Sequence, residues 1–136
     1  MKIKLDPWGT LPTMGHPESD AGWDLYSPLD YWMSPGESIT ISTGVHIQLP
    51  TDLAGLIKNR SSVFKKKVIT DGLIDPGYTG EIGVTLINVG QYDYHIHKGD
   101  RIAQLIITPV VRDGWELVDE LAPSKRGDGG FGSTGR

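Results

Sequence analysis

Short stretches in which apolar and polar residues alternate, punctuated by Pro and Gly, run along this chain and predict strands rather than helices. Lys2-Ile3-Lys4-Leu5 alternates as a first strand, and residues 6–20, rich in Pro, Gly and small polar residues, form a loop. Residues 21–27 (AGWDLYS) predict a short strand with Asp24 on the face of Gly22 and Tyr26. Ser34-Pro35-Gly36-Glu37 is a turn, and residues 38–49 predict a long strand with a bulge at Thr43-Gly44, ended by Pro50. Residues 53–57 form another strand, and residues 63–67 the chain's one helical turn or two, without a cap pattern to strengthen it. Residues 92–96 alternate and residues 97–100 turn. Residues 101–108 form a nearly continuous apolar strand for the core, and 115–118 a last short strand.

The organising stretch is residues 71–88, DGLIDPGYTGEIGVTLIN. It predicts two short strands joined at Pro76-Gly77, with Pro fixing φ for the turn and Gly accepting a positive φ after it. The expected product is a hairpin carrying Asp75 and Tyr78 among Gly72, Gly80 and Gly83, where a flat ligand can approach the backbone. A solvent-facing hairpin whose Asp merely starts the turn is the simpler reading. On composition alone it is preferred, and the rest of the chain changes that.

Composition narrows the class. The 136 residues suffice for one domain with a core, and frequent Gly (18) and Pro (9) suit many strands and turns. An all-β barrel or sandwich follows, with residues 1–124 as the domain and the Gly-rich residues 125–136 as a flexible C-terminal arm that cannot pack a core. A net charge of −4 disfavours a nucleic-acid backbone binder while leaving room for a small anion held by a few placed cations. With no cysteine there is neither a disulfide nor a Cys metal site, which fits a reducing cytosol. No apolar run is of membrane-spanning length, and the N-terminus lacks the apolar region of a secretory signal, so no membrane partner is expected.

Four further places put polar side chains among small residues at strand ends: Asp24, Arg60-Ser61-Ser62, Asp100-Arg101 with Gln104, and Arg126 with the Gly-rich tail. An Arg beside consecutive Ser offers N–H donors and hydroxyls suited to phosphate oxygens, and equally a structural ion pair. The tail's one ring, Phe131, has no core to join. Lys65-Lys66-Lys67 reads as a solvated face in preference to a source of positive potential at a phosphate site. His95 and His97 sit two apart; solvent exposure on an edge strand is preferred over a metal site.

These segments resemble, in order and spacing, the five motifs of trimeric dUTP diphosphatases (dUTPases): AGWDLYS at 21–27, RSS at 60–62, GLIDPGYTGEIGV at 72–84, KGDRIAQLI at 98–106 and RGDGGFGSTG at 126–135. The resemblance implies a distorted jelly-roll β-barrel that forms a homotrimer with three inter-subunit active sites. It implies Mg²⁺-assisted hydrolysis of dUTP to dUMP and pyrophosphate in the cytosol, of a host if the gene is viral. Asp75 resembles the general base that activates the attacking water, with Gln104 near that water. Tyr78 resembles the ring beneath the deoxyribose that leaves no room for a 2′-hydroxyl. Backbone groups near Gly72, Leu73, Ile74 and Gly83 would meet uracil, and Arg60, Ser61, Ser62 and Gln104 the phosphates. Arg126, Gly132, Ser133 and Thr134 would close over the terminal phosphates while Phe131 stacks on the base. Asp24 would support the metal's water shell indirectly. Asp100 and Arg101 are assigned to structure, as partners of Arg60 or of a subunit contact.

The sequence departs from the family at Asn59, where Pro commonly precedes the Arg-Ser pair, at Ser62, where Gly is common, and at Trp23; residues 63–71 form a shortened segment. A dCTP deaminase of the same fold is the nearest alternative, but those enzymes are generally longer and lack this tail. A dUTPase-fold binding or signalling protein is the other.

Overall fold

The structure is a computed structural model, and residues 1–132 are described. Two four-stranded antiparallel sheets face each other. The first orders its strands β1 (Lys2–Leu5), β4 (Ser38–Gln48), β8 (Glu81–Asn88) and β6 (Val68–Ile69). The second orders β2 (Trp23–Tyr26), β10 (Arg101–Pro109), β5 (Leu53–Lys58) and β7 (Gly72–Ile74). A two-stranded ribbon, β3 (Tyr31–Met33) with β9 (Tyr94–Ile96), completes the distorted jelly roll. No helix among the described residues is long and apolar enough to cross a membrane.

Alternation decides which face each strand buries. On β8, Ile82, Val84, Leu86 and Asn88 point inward while Gly83, Thr85 and Ile87 point out. They meet Ile41, Val45 and Ile47 of β4 and, across the core, Leu25, Ile57, Ile102 and Leu105 of the second sheet. The apolar β10 lies in the middle of that sheet, between β2 and β5, as its composition predicts. Buried Asn88 donates from Nδ2 to the carbonyls of Met33 (3.2 Å) and Tyr92 (2.9 Å), tying the end of β8 to the ribbon.

The expected bulge in β4 is present. Ser42 pairs with Gly83 but His46 pairs with Glu81, so β4 carries two extra residues there. Two, unlike one, preserve the inward parity of Val45 and Ile47. Gly44 turns the chain at φ 72°, its carbonyl accepting from the Asp6 N–H (2.8 Å). The Glu81 carboxylate caps the bulge, accepting from the Gly44 N–H (2.7 Å), the Ser42 hydroxyl and Trp8 Nε1 (3.3 Å).

Three expectations about the elements fail. The central stretch is not a hairpin: β7 pairs with β5 in one sheet and β8 with β4 and β6 in the other, so residues 75–80 form a corner between sheets. Residues 115–118 form no strand; Trp115 and Leu117 are fully exposed beyond the end of β10. The helical turn lies at Ser61–Phe64, earlier than expected, beginning at an extended Arg60 without a side-chain cap. It stops before Lys67, whose φ of 62° cannot continue a helix.

Candidate functional site

The corner places Asp75 and Tyr78 by backbone means. Residues 75–78 make a β-turn closed by the Tyr78 N–H on the Asp75 carbonyl (3.0 Å). Gly77 takes no positive φ, contrary to expectation, so the turn rests on the fixed φ of Pro76. The Asp75 residue is exposed at the corner. Tyr78 lays its ring over Gly80 and donates its hydroxyl to the Glu81 carbonyl (2.7 Å). A Cβ at position 80 would lie 2.5 Å from Tyr78 Oη, so this ring position requires glycine. Beside it Leu73 is exposed on β7 and Ile74 is buried, with Gly72 packed against Ile57. Gly83 pairs with Ser42 across the neighbouring sheet.

A polar cleft of about 540 Å³ lies elsewhere, lined by Asp24, Arg60, Ser61, Ser62, Arg101 and Gln104 among others. Gln104 sits between Asp24 of β2 and Lys58 of β5 in the strand register. Its amide donates to the Asn59 carbonyl (2.7 Å), which aims it toward the start of the helical turn. Arg60 donates from Nε to Asp24 Oδ1 (2.7 Å) and from Nη1 to Ser62 Oγ (3.3 Å). Asp24 thus supplies the structural ion pair weighed for Arg60, with only 13% of its side chain exposed. Arg101 reaches the other oxygen of Asp24 (3.5 Å). Asp100 does not pair with Arg60; it accepts the His97 N–H (2.8 Å).

Sequence reasoning missed the part played by Asn59. Its Oδ1 accepts the Thr70 N–H (2.8 Å) and its Nδ2 donates to the Val68 carbonyl (3.1 Å), joining the Arg60 loop to β6. A polar residue where the resembling family carries Pro was the available signal.

The two groups do not meet within one chain. Strand β5 sets Gly55 beside Ile74, so Asp75 lies level with residue 54, whereas Gln104 pairs with Lys58 and Arg60 lies two residues beyond. At the strand rise per residue those offsets are about 13 Å for Gln104 and about 20 Å for Arg60. The third group, in the tail, makes local contacts of its own. Arg126 closes a local loop by donating from Nε to the Gly129 carbonyl, and the Phe131 ring is fully exposed. Gly132 takes a φ of 90° at the end of the described chain. Ser133 and Thr134 lie outside the described residues.

No group of three or more His, Cys, Asp or Glu able to hold a metal occurs among the described residues. His95 is stacked on Trp32 with centroids 4.1 Å apart, and Lys65, Lys66 and Lys67 are exposed.

The dUTPase family profile matches residues 9–135. The chain is 43% identical to the deoxyuridine 5'-triphosphate nucleotidohydrolase of Clostridium tetani, with 100% of this chain and 97% of that protein covered. Identity to its counterpart in Solibacter usitatus is also 43%, with the same coverage. Among solved structures, a Staphylococcus bacteriophage 80alpha dUTPase mutant with dUpNHpp superposes with a TM-score of 0.92 at 30% identity, covering 99% of this chain and 98% of that one. A mutant dUTPase from phage phi11 of S. aureus, described as coordinating a structural Mg(II) ion, gives 0.82 at 26% identity, with 90% and 98% covered.

Proposed function

The chain belongs to the dUTPase family and is a dUTP diphosphatase, and from that premise we propose how its residues share the reaction. Asp75 accepts a proton from a water aligned on the α-phosphorus. The new bond forms from that water's oxygen, the bond from the α-phosphorus to the bridging oxygen breaks, and pyrophosphate leaves dUMP behind. A carboxylate exposed at a rigid turn suits this task, since it needs access to the water and a fixed direction. The ring of Tyr78 lies under the deoxyribose and excludes a 2′-hydroxyl. Backbone groups at Gly72, Leu73, Ile74 and Gly83 meet the uracil edge.

Arg60, Ser61 and Ser62 bind phosphate oxygens, and Gln104 helps hold the water. Arg126, Phe131, Gly132, Ser133 and Thr134, in an arm spanning residues 125–136, close the site. Mg²⁺ on the triphosphate would neutralise phosphate charge, with Asp24 acting on its water shell from a distance. The substrate is a soluble nucleotide, and we assign the reaction to the cytosol.

The observation that supports the assembly is the register along β5, which sets Asp75 about 13 Å from the level of Gln104 and about 20 Å from that of Arg60. In this reading each site draws its base and its phosphate loop from different copies, in a homotrimer. Exposed Val111, Trp115 and Leu117 beyond β10 support this, because such apolar side chains are expected to be covered in an assembly. Pyrophosphate release from dUTP against dCTP, dTTP and UTP, with molar mass by light scattering, tests both parts. Turnover of dUTP alone by a species of three chains is expected. Ammonia from dCTP or an active monomer would overturn the reading. Asp75→Asn should retain dUTP binding and lose turnover by orders of magnitude.

A further inference from the structure

His46 lies on β4 just after the bulge, and both its ring nitrogens face groups that can only accept. Nε2 is 2.9 Å from Asp6 Oδ2, and Nδ1 is 3.1 Å from the carbonyl oxygen of Thr79. A neutral imidazole carries one N–H and would present a lone pair to the other acceptor. Only the doubly protonated ring satisfies both. Thr79 belongs to the corner that follows Asp75, and its neighbour Tyr78 is anchored at the Asp75 and Glu81 carbonyls. His46 is therefore a third tether on that corner, reaching it from the opposite strand.

We propose that His46 is a positioning residue for hydrolysis: as an imidazolium it bridges Asp6 and the Thr79 carbonyl and so holds the corner that aims Asp75 and Tyr78. The proposal rests on the assignment of Asp75 as the base. The surroundings favour the cation on balance. Asp6 follows β1, and its hydrogen bond, followed by that of Thr79, pushes the ring's pKa above the ordinary histidine value. Lys4, the cross-strand partner on β1, opposes this, as does partial burial. Lys2 lines the same groove. On β8 the facing residue is Glu81, whose carboxylate is turned to Ser42, Gly44 and Trp8. When the ring loses a proton, the carboxylate retains the remaining N–H, and the Thr79 tether is released.

Nitrogen-15 NMR of the histidine rings in the full chain, with pH-dependent kinetics of two variants, tests this. The expected spectrum shows both His46 nitrogens protonated at pH values up to and beyond about 6.5, the ordinary midpoint. A neutral tautomer at pH 6 would overturn the proposal. In H46N the amide nitrogen stands near the place of Nδ1 and can still donate to Thr79. In H46Q it stands near the place of Nε2 and reaches only Asp6. H46Q should lose roughly tenfold in kcat, while H46N recovers most of that loss and lacks the alkaline decline in kcat expected of the native enzyme. Equal losses in the two variants, or native kcat and pH profile in H46Q, would refute the tether. Full turnover in Asp75→Asn would instead remove the base while leaving the ring measurement intact, so the two failures are distinct.

Discussion

Asp24 Oδ1 and Arg60 Nε lie 2.7 Å apart, with Arg101 on the second carboxylate oxygen, so one acid on β2 orients the arginine assigned to phosphate. Two effects compete when it is removed. An anion beside a triphosphate repels it, and an arginine without its partner loses its direction. A partly buried guanidinium depends strongly on its fixed fork, so the second effect wins. Asp24→Ala should raise the KM for dUTP roughly tenfold, about 1.4 kcal/mol, with a smaller change in kcat. Steady-state kinetics decide it, and a lower KM would mean that repulsion dominates.

Gly80 sits under the ring of Tyr78. In Gly80→Ala the new methyl falls 2.5 Å from Oη and 2.6 Å from Cζ, and the ring must swing away while the backbone keeps its place. The expected variant melts close to the native temperature but discriminates poorly between sugars. Comparing kcat/KM for dUTP and UTP checks this; an unchanged ratio would dissociate the ring's position from selectivity.

Gly44 and Gly9 touch backbone to backbone. A Cβ on Gly44 would stand 2.7 Å from both N and Cα of Gly9, and its φ of 72° is itself unfavourable for other residues. Neither obstacle can rotate aside. Gly44→Ala should therefore cost about 2–4 kcal/mol. Gly36, with φ 81° but open space around it, should cost only about 1–2 kcal/mol. Urea denaturation of the two variants separates conformational strain from collision.

Stability should fall on both sides of a maximum in mildly acidic solution. The Ser42 hydroxyl, then the Gly44 and Trp8 N–H groups, hold Glu81 below the usual glutamate range. Its contribution is complete above about 4.3 and disappears as pH drops through the lowered value. His46 runs the other way. Its pKa is raised, so its contribution is complete below about 6.5 and disappears as pH climbs through the raised value. Thermal melts between pH 3 and 9 should show the acid limb flattened in E81Q and the alkaline limb flattened in H46N.

Much of this was legible because local chemistry speaks locally. The Gly in the β4 bulge and the apolar run of β10 each carry their own instruction, and both were read correctly. The corner at residues 75–80 was misread because its turn chemistry is that of a hairpin. The choice between pairing β7 with β8 or with β5 is made by residues 55–57, which pair with positions 15 to 19 residues further along the chain. Trp115 to Val118 was read as a strand, yet no strand follows β10 among the described residues to pair with it. The roles of His46 and Asn59 were missed for the same reason. Each acts through carbonyls of distant residues, Thr79 and Val68, and a carbonyl has no letter in the sequence.

The distance along β5 also has a genetic consequence. If acid and phosphate loop come from separate polypeptides, a lesion in one need not spoil a site that borrows it intact from another. Arg60→Ala and Asp75→Asn proteins, each inert alone, should regain activity when unfolded and refolded together. In an even mixture about one quarter of the sites would unite two sound halves, since each half is intact with even odds. Two silent alleles expressed in one cell would then complement each other, as defects within a single polypeptide's pocket never do.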